Sequence, residues 1–215
     1  MKYFILLLCL VTLQNCTQSI SKKNIGEQIA SANGFDNFNK IQKLEFIFNV
    51  QRDTSTASSR HWQWFPQTND VVFITDSATT KFKRYDTTTP ELKTLNAKFT
   101  NDEYWLLYPY HICMDKGCEV HDSSMKTASI SGKSMQAVMI KYNDKEGFTP
   151  GDMYKLYLDE NKKIKEWEYF KAGATEPSLV TTWENYKDFS GLQIAQDHKS
   201  KDGKFHLWFT GIQIQ

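Results

Sequence analysis

Alternation of apolar and polar residues with a period of two, broken at short intervals by turn chemistry, restricts this chain more than any other feature. In Leu44-Glu-Phe-Ile-Phe-Asn-Val50 the residues Leu44, Phe46, Phe48 and Val50 share one face of an extended strand. Arg60-His-Trp-Gln-Trp-Phe65 alternates as well and ends at Pro66. Val71-Val-Phe-Ile-Thr75 and Lys81-Phe-Lys-Arg-Tyr85 predict two more strands, with Gln67-Thr-Asn-Asp70 supplying a turn. The second half predicts strands at 119–122, 126–131, 134–142, 153–159, 163–170, 178–186, 191–198 and 204–214. The breaks are Asn143-Asp-Lys-Glu-Gly147, Pro150-Gly151, Asn161-Lys162 and Lys201-Asp-Gly203, all turn formers. Consecutive strands joined by such short turns must run antiparallel.

Helical signals occupy two places. Asn24 with Glu27 resembles a capping box, Ile25, Ile29 and Ala32 form a partial stripe, and Gly34 is a good stop. Asp36 is a cap for a second short helix through Phe38 and Ile41. In the middle of the chain Thr89-Pro90 is an N-cap followed by Pro, with Leu92, Leu95 and Phe99 near helical spacing. Thr100 with Glu103 predicts a second capping box, and Pro109 predicts the stop after Tyr104-Trp-Leu-Leu-Tyr108. The class is therefore α+β, with a long antiparallel sheet, a short N-terminal helix and central helices.

The N-terminus predicts export. Lys2 is followed by an apolar run, Tyr3 to Leu13, and then by Gln14-Asn15-Cys16. The run is about half the ~20 residues a membrane-spanning helix needs. No Ala precedes Ala30, so an Ala-x-Ala cleavage site is missing. Residues 1–15 read as a lipoprotein signal peptide, Cys16 as the lipidated residue, 16–24 as the anchor and short tether, and 25–215 as a single domain. Simple secretion after an unusual cut is the alternative. Loss of the signal removes Lys2 and leaves 25 basic residues against 25 acidic ones, with no basic stripe, so nucleic acid is not an expected partner.

Two cysteines remain in the folded part, within His111-Ile-Cys-Met-Asp-Lys-Gly-Cys-Glu-Val-His121. The reading is a hairpin with Met114-Asp-Lys-Gly117 as its loop and Cys113 disulfide-bonded to Cys118, as an oxidising compartment favours. Zinc binding by two His and two Cys and a pair of free thiols are the alternatives; the spacing suits zinc poorly. His111 and His121 are expected at the surface. Glu166 and Glu168 share one face of a predicted strand at a spacing that paired catalytic carboxylates also use, but the reading is an ordinary pair on a sheet that faces water. No Gly-x-Ser-x-Gly elbow, His-Glu-x-x-His helix or phosphate-cradling loop is present, and no catalytic residue, metal or cofactor is expected.

Several stretches resemble the lipoprotein-carrier fold of LolA, LolB and LppX, and more closely a group of periplasmic lipoproteins of that type. They are Ala32-Asn-Gly-Phe-Asp-Asn-Phe38, Phe99 to Pro109, Gly147 to Asp159, Ile164 to Tyr169, Thr182 to Tyr186 and Gly191 to Ile194. The resemblance implies a sheet curved into a half-barrel, with helices packed on its concave, apolar side. Family members of known role carry acyl chains or lipids there. Aromatic residues make up 14% of this chain, a load that serves either a β-rich core or an aromatic-lined pocket. Joined to the resemblance, it nominates Trp62, Trp64, Trp105, Leu106 and Trp208 as lining a ligand surface. The expected function is a lipid-anchored, non-enzymatic envelope module of a Gram-negative bacterium, at the outer membrane or elsewhere in the periplasm. Its partners would be the membrane, through the anchor, and an acyl chain, lipid or lipoprotein tail. A structural or interaction lipoprotein without a small ligand is the alternative, and an unrecognised hydrolase the remaining one.

Overall fold

A computed structural model of the protein describes residues 23–145 and 149–215. Its elements are α1 (Ile25–Ala32), a 3-10 helix (Phe35–Lys40), β1 (Leu44–Arg52), β2 (Ser58–Phe65), β3 (Asp70–Ile74), β4 (Thr79–Lys83) and α2 (Pro90–Met114). There follow β5 (Cys118–Thr127), β6 (Ser134–Tyr142), β7 (Met153–Leu158), β8 (Ile164–Phe170), β9 (Leu179–Thr182), β10 (Lys187–Phe189), β11 (Leu192–Ile194), β12 (Asp197–Lys199) and β13 (Phe205–Ile214). The first four strands and the last two form one antiparallel sheet in the order β12-β13-β1-β2-β3-β4, and β5 to β9 form a second in sequence order. A lone antiparallel bridge between Glu184 and Asp197 joins them. The result is one long antiparallel surface, with β10 and β11 as a separate ribbon.

α2 lies in the trough of that surface and is buried on two flanks. Phe99, Leu106, Leu107 and Tyr110 pack with Phe46, Phe48, Trp62, Trp64 and Phe209 of the first sheet. Tyr104, Tyr108 and Ile112 pack with Val138, Ile140, Leu156 and Trp167 of the second. Residues four apart lie on one helix face, so each of the two series is a stripe, and a sheet that meets both must curve around the helix.

The capping box of Asn24 and Glu27 forms in both directions, and Thr89 caps α2 ahead of Pro90. Gly34 ends α1 at φ +92°, where an added Cβ would meet the carbonyl oxygen of Gly191 at 2.0 Å. The second capping box is absent. The helix runs through Thr100, and Glu103 turns inward. Pro109 does not end α2 either. The chain kinks at Leu107 (φ −122°, ψ 20°) and continues to Met114. Proline removes one helical hydrogen bond and crowds the preceding turn. Burial of Tyr108, Tyr110 and Ile112, with a bond from the Tyr110 hydroxyl to the Asn33 carbonyl (2.5 Å), outweighs that loss.

The Cys113–Cys118 hairpin is replaced by a helix-to-strand turn. Cys113 lies in the last turn of α2 and Cys118 opens β5, whose partner is β6. Both are free thiols, Cys113 exposed and Cys118 half-buried. The predicted strands 119–122 and 126–131 are a single strand with an irregularity between 122 and 125. No helix among the described residues is long and apolar enough to cross a membrane. Cys16 and the signal segment lie outside the described residues.

Candidate functional site

A cleft of about 270 Å³ opens between α2 and the second sheet. Thr100, Asn101, Tyr104 and Trp105 of α2 form one wall. Tyr154 of β7 with Trp167 and Tyr169 of β8 form the other, and Arg52, Thr149, Asp152 and Leu179 form the rim. The β7–β8 register builds the aromatic wall by setting Tyr154 opposite Tyr169 and Leu156 opposite Trp167. Tyr154 then lies 5.2 Å from Trp167 and 5.3 Å from Tyr169 between ring centroids. Trp105 reaches across from the helix, edge-on to Trp167 at 4.6 Å. Such contacts hold large flat side chains in fixed orientations.

The walls are electrically quiet. Burial, followed by the Asp152 carboxylate, pushes the Tyr169 phenol up to about 12, and burial raises that of Tyr154. Both are neutral at any working pH. The Asp152 carboxylate accepts from the Tyr169 hydroxyl (3.0 Å) and from the Ala172 amide (2.9 Å).

Behind Trp105 lies His198. Its imidazole is fully buried, 5.3 Å from Trp105 and 4.4 Å from Trp183 between centroids. The backbone of Thr182 and Ala195 lies nearby, yet neither ring nitrogen completes a hydrogen bond. Burial holds its pKa down at about 3, so the ring is neutral.

Of the five residues nominated from the sequence, Trp105 alone lines the cleft. Trp62 is fully buried and donates its indole N–H to Asp102 (2.8 Å). Trp64 and Leu106 are buried in the same core, with the Arg84 guanidinium 4.8 Å from the Trp64 ring. Trp208 faces the opposite side of β13 from Phe205, Leu207 and Phe209, and stacks on His206 at 4.4 Å. A single step along a strand reverses the face, which takes Trp208 out of the trough.

His111 is not a surface residue; it is 1% exposed. Its two ring nitrogens sit 3.0 Å from Glu103 and 3.0 Å from Asp115, and the Arg84 guanidinium donates to Glu103 at 2.9 Å. Burial alone would lower the imidazole, but the Glu103 charge and the hydrogen bonds to Asp115 and Glu103 lift it to about 9. Glu166 and Glu168 are likewise buried, not facing water. Glu166 accepts from the amides of Ile130 (2.7 Å) and Ser131 (2.9 Å). Glu168 accepts from the Tyr157 hydroxyl (2.7 Å) and from Ser129. These carboxylates fasten the 128–131 turn to the sheet. Among the described residues no group of three His, Cys, Asp or Glu could hold a metal ion.

No family model and no curated protein matches this sequence. Three solved structures are similar in the course of the chain. A LolA-superfamily protein from Nitrosomonas europaea has 10% identity over 88% of this chain and 93% of its own, with a TM-score of 0.49. A DUF1329-family protein from Desulfovibrio piger has 6% identity over 89% and 92%, with a TM-score of 0.48. A domain assigned to outer-membrane lipoprotein sorting, from Vibrio parahaemolyticus, has 10% identity over 89% and 94%, with a TM-score of 0.46. The long antiparallel sheet around one long central helix is the α+β arrangement expected from the sequence.

Proposed function

We propose that this protein is a non-enzymatic binding module of the bacterial cell envelope, which holds part of an acyl chain, lipid or lipoprotein tail in the cleft beneath α2. The observation that carries this reading is the aromatic cleft itself, walled by Tyr104, Trp105, Tyr154 and Trp167 and open at its rim. Its volume of about 270 Å³ is slightly under the ~300–1,000 Å³ usual for drug-sized ligands. That size suits a segment of one chain better than a whole diacyl lipid. Five buried methylenes would contribute about 4 kcal/mol before the cost of ordering the chain. Among the described residues the cleft lining contains no Ser, Cys or His, the side chains on which acyl-transfer chemistry most often draws. Export under the signal of residues 1–15 and acylation of Cys16 would tether the domain to a membrane through residues 17–24.

The reading as an interaction lipoprotein without a small ligand has its own support. Trp62, Trp64, Phe99 and Leu106 fill the trough on the side of the first sheet. Mass spectrometry of organic extracts of the purified protein separates the two. A stoichiometric acyl-chain species is expected; a lipid-free protein with a specific captured partner would favour the second reading.

A further inference from the structure

Polar groups around the cleft are unbalanced. The Asp152 carboxylate, its one charged acceptor, is already engaged by the Tyr169 hydroxyl and the Ala172 amide. Two donors stand out: Trp167, buried without a partner, and Arg52, which is exposed to solvent. Trp167 is 3% exposed and its indole N–H has no hydrogen-bond partner. Arg52, at the end of β1, lies with its guanidinium carbon 4.8 Å from the centroid of the Phe205 ring and makes no ion pair among the described residues. A guanidinium presents several donors in a planar fork suited to a carboxylate or a phosphate.

The position of Arg52 is specific. Below Glu184 and Asp197 the two sheets separate: the Lys199 amide reaches only the Thr182 hydroxyl (3.2 Å) instead of continuing the ladder. The gap beyond is a second, open depression lined by Ser178, Leu179 and Val180 on one side and by Ser200, Lys201, Lys204 and Phe205 on the other. Arg52 and Leu179 line both this depression and the aromatic cleft. The two spaces thus meet at Arg52. The acidic groups here are Asp53, Asp152 and Asp202, and Asp202 is occupied by the Ser200 hydroxyl (2.6 Å) and the Lys204 amide (3.1 Å). Lys201 and Lys204 add positive charge on the same side.

We infer that the ligand is a single-chain amphiphile with an anionic headgroup, its chain in the aromatic cleft and its carboxylate or phosphate on Arg52 where the two sheets part. The inference rests on the binding role proposed above and adds the chemical class of what is bound. The ligand's anionic oxygens pair with the exposed Arg52 guanidinium, and the narrow cleft selects one chain over two.

Four twelve-carbon probes test it, added separately to the purified protein while tryptophan fluorescence is followed: dodecanoate, dodecyl phosphate, dodecanol and dodecyltrimethylammonium. At least one anionic probe is expected to bind about tenfold more tightly than the alcohol, the effect of one charge-assisted hydrogen-bonded pair. The cation should bind most weakly. Whichever anion binds more tightly identifies the source as a fatty acid or a phospho-headgroup. Arg52→Gln should bring the anion down to the affinity of the alcohol, with circular dichroism confirming the fold. Equal binding of alcohol and anion, or an anion preference that survives in Arg52→Gln, would overturn the headgroup assignment and leave the apolar cleft standing. Absence of binding by all four probes would remove both.

Discussion

His111 and Glu103 stand two turns apart on α2 and meet inside the protein, with Nε2 of the imidazole 3.0 Å from the Glu103 carboxylate. Asp115 takes the other ring nitrogen at 3.0 Å, so both nitrogens face acceptors and the ring is a charged donor on both sides. The Tyr104 hydroxyl also donates to Asp115, and Arg84 closes the group from the segment after β4. This cluster spans the Leu107 kink and ties the last turns of α2 to the segment that follows β4. Breaking a buried pair by removing one partner leaves an uncompensated charge.

The His111 cluster sets an alkaline limit to stability. Its folded pKa is about 9, above the ~6.5 of an unfolded chain. The stabilisation is therefore complete below pH 6.5 and is lost as pH rises towards 9, at up to about 1.4 kcal/mol per pH unit. Urea unfolding between pH 6 and 10 should show this slope for the wild type, and His111→Gln should remove it. Parallel curves for the two proteins would contradict the assignment.

His198 sets the opposite limit. Its folded pKa of about 3 lies below the unfolded value, so the unfolded state binds the extra proton. Its contribution is complete above pH 6.5 and is lost as pH falls towards 3. His198→Leu should be close to neutral or stabilising at pH 7, because no hydrogen bond is broken. The difference in stability between variant and wild type should widen in the variant's favour as pH falls from 6.5 to 4. A constant difference would show that the ring is not held neutral.

Asp102 holds α2 against the first sheet. Its carboxylate takes a forked pair of 2.6 Å bonds from Arg60 and the indole N–H of Trp62. Asp102→Ala strands the Arg60 guanidinium and the Trp62 indole, and also removes the acceptor of Asn101 (3.0 Å), and should cost about 3–5 kcal/mol in urea unfolding. A loss under 1 kcal/mol would mean that water replaces the carboxylate.

The strands were legible because each buries one face. The alternation of Leu44, Phe46 and Phe48 is visible without knowing what covers it. The continuity of α2 was not: Pro109 is a local stop signal, and the contacts that override it come from Asn33, Arg84 and two separate sheets. His111 was misplaced for the same reason, since Arg84 lies 19 residues from the Glu103 that the two cations share. Trp208 was recoverable, because Phe205, Leu207 and Phe209 already fix the buried parity of its strand. Trp105 carried a usable helical signal. Its cleft partners Tyr154, Trp167 and Tyr169 come together through the β7–β8 register, and Arg52 joins them only because β1 pairs with the distant β13.

The most direct test of the binding role is a fluorescence titration of the purified protein with straight-chain alcohols and fatty acids of increasing length, repeated on Trp105→Ala. The cleft account predicts that affinity rises with each added methylene until the cleft is full and then levels off. It also predicts that Trp105→Ala weakens binding of the longer chains about tenfold, as loss of a central aromatic contact does. No response at any chain length, in a protein whose organic extracts contain no lipid, would contradict it.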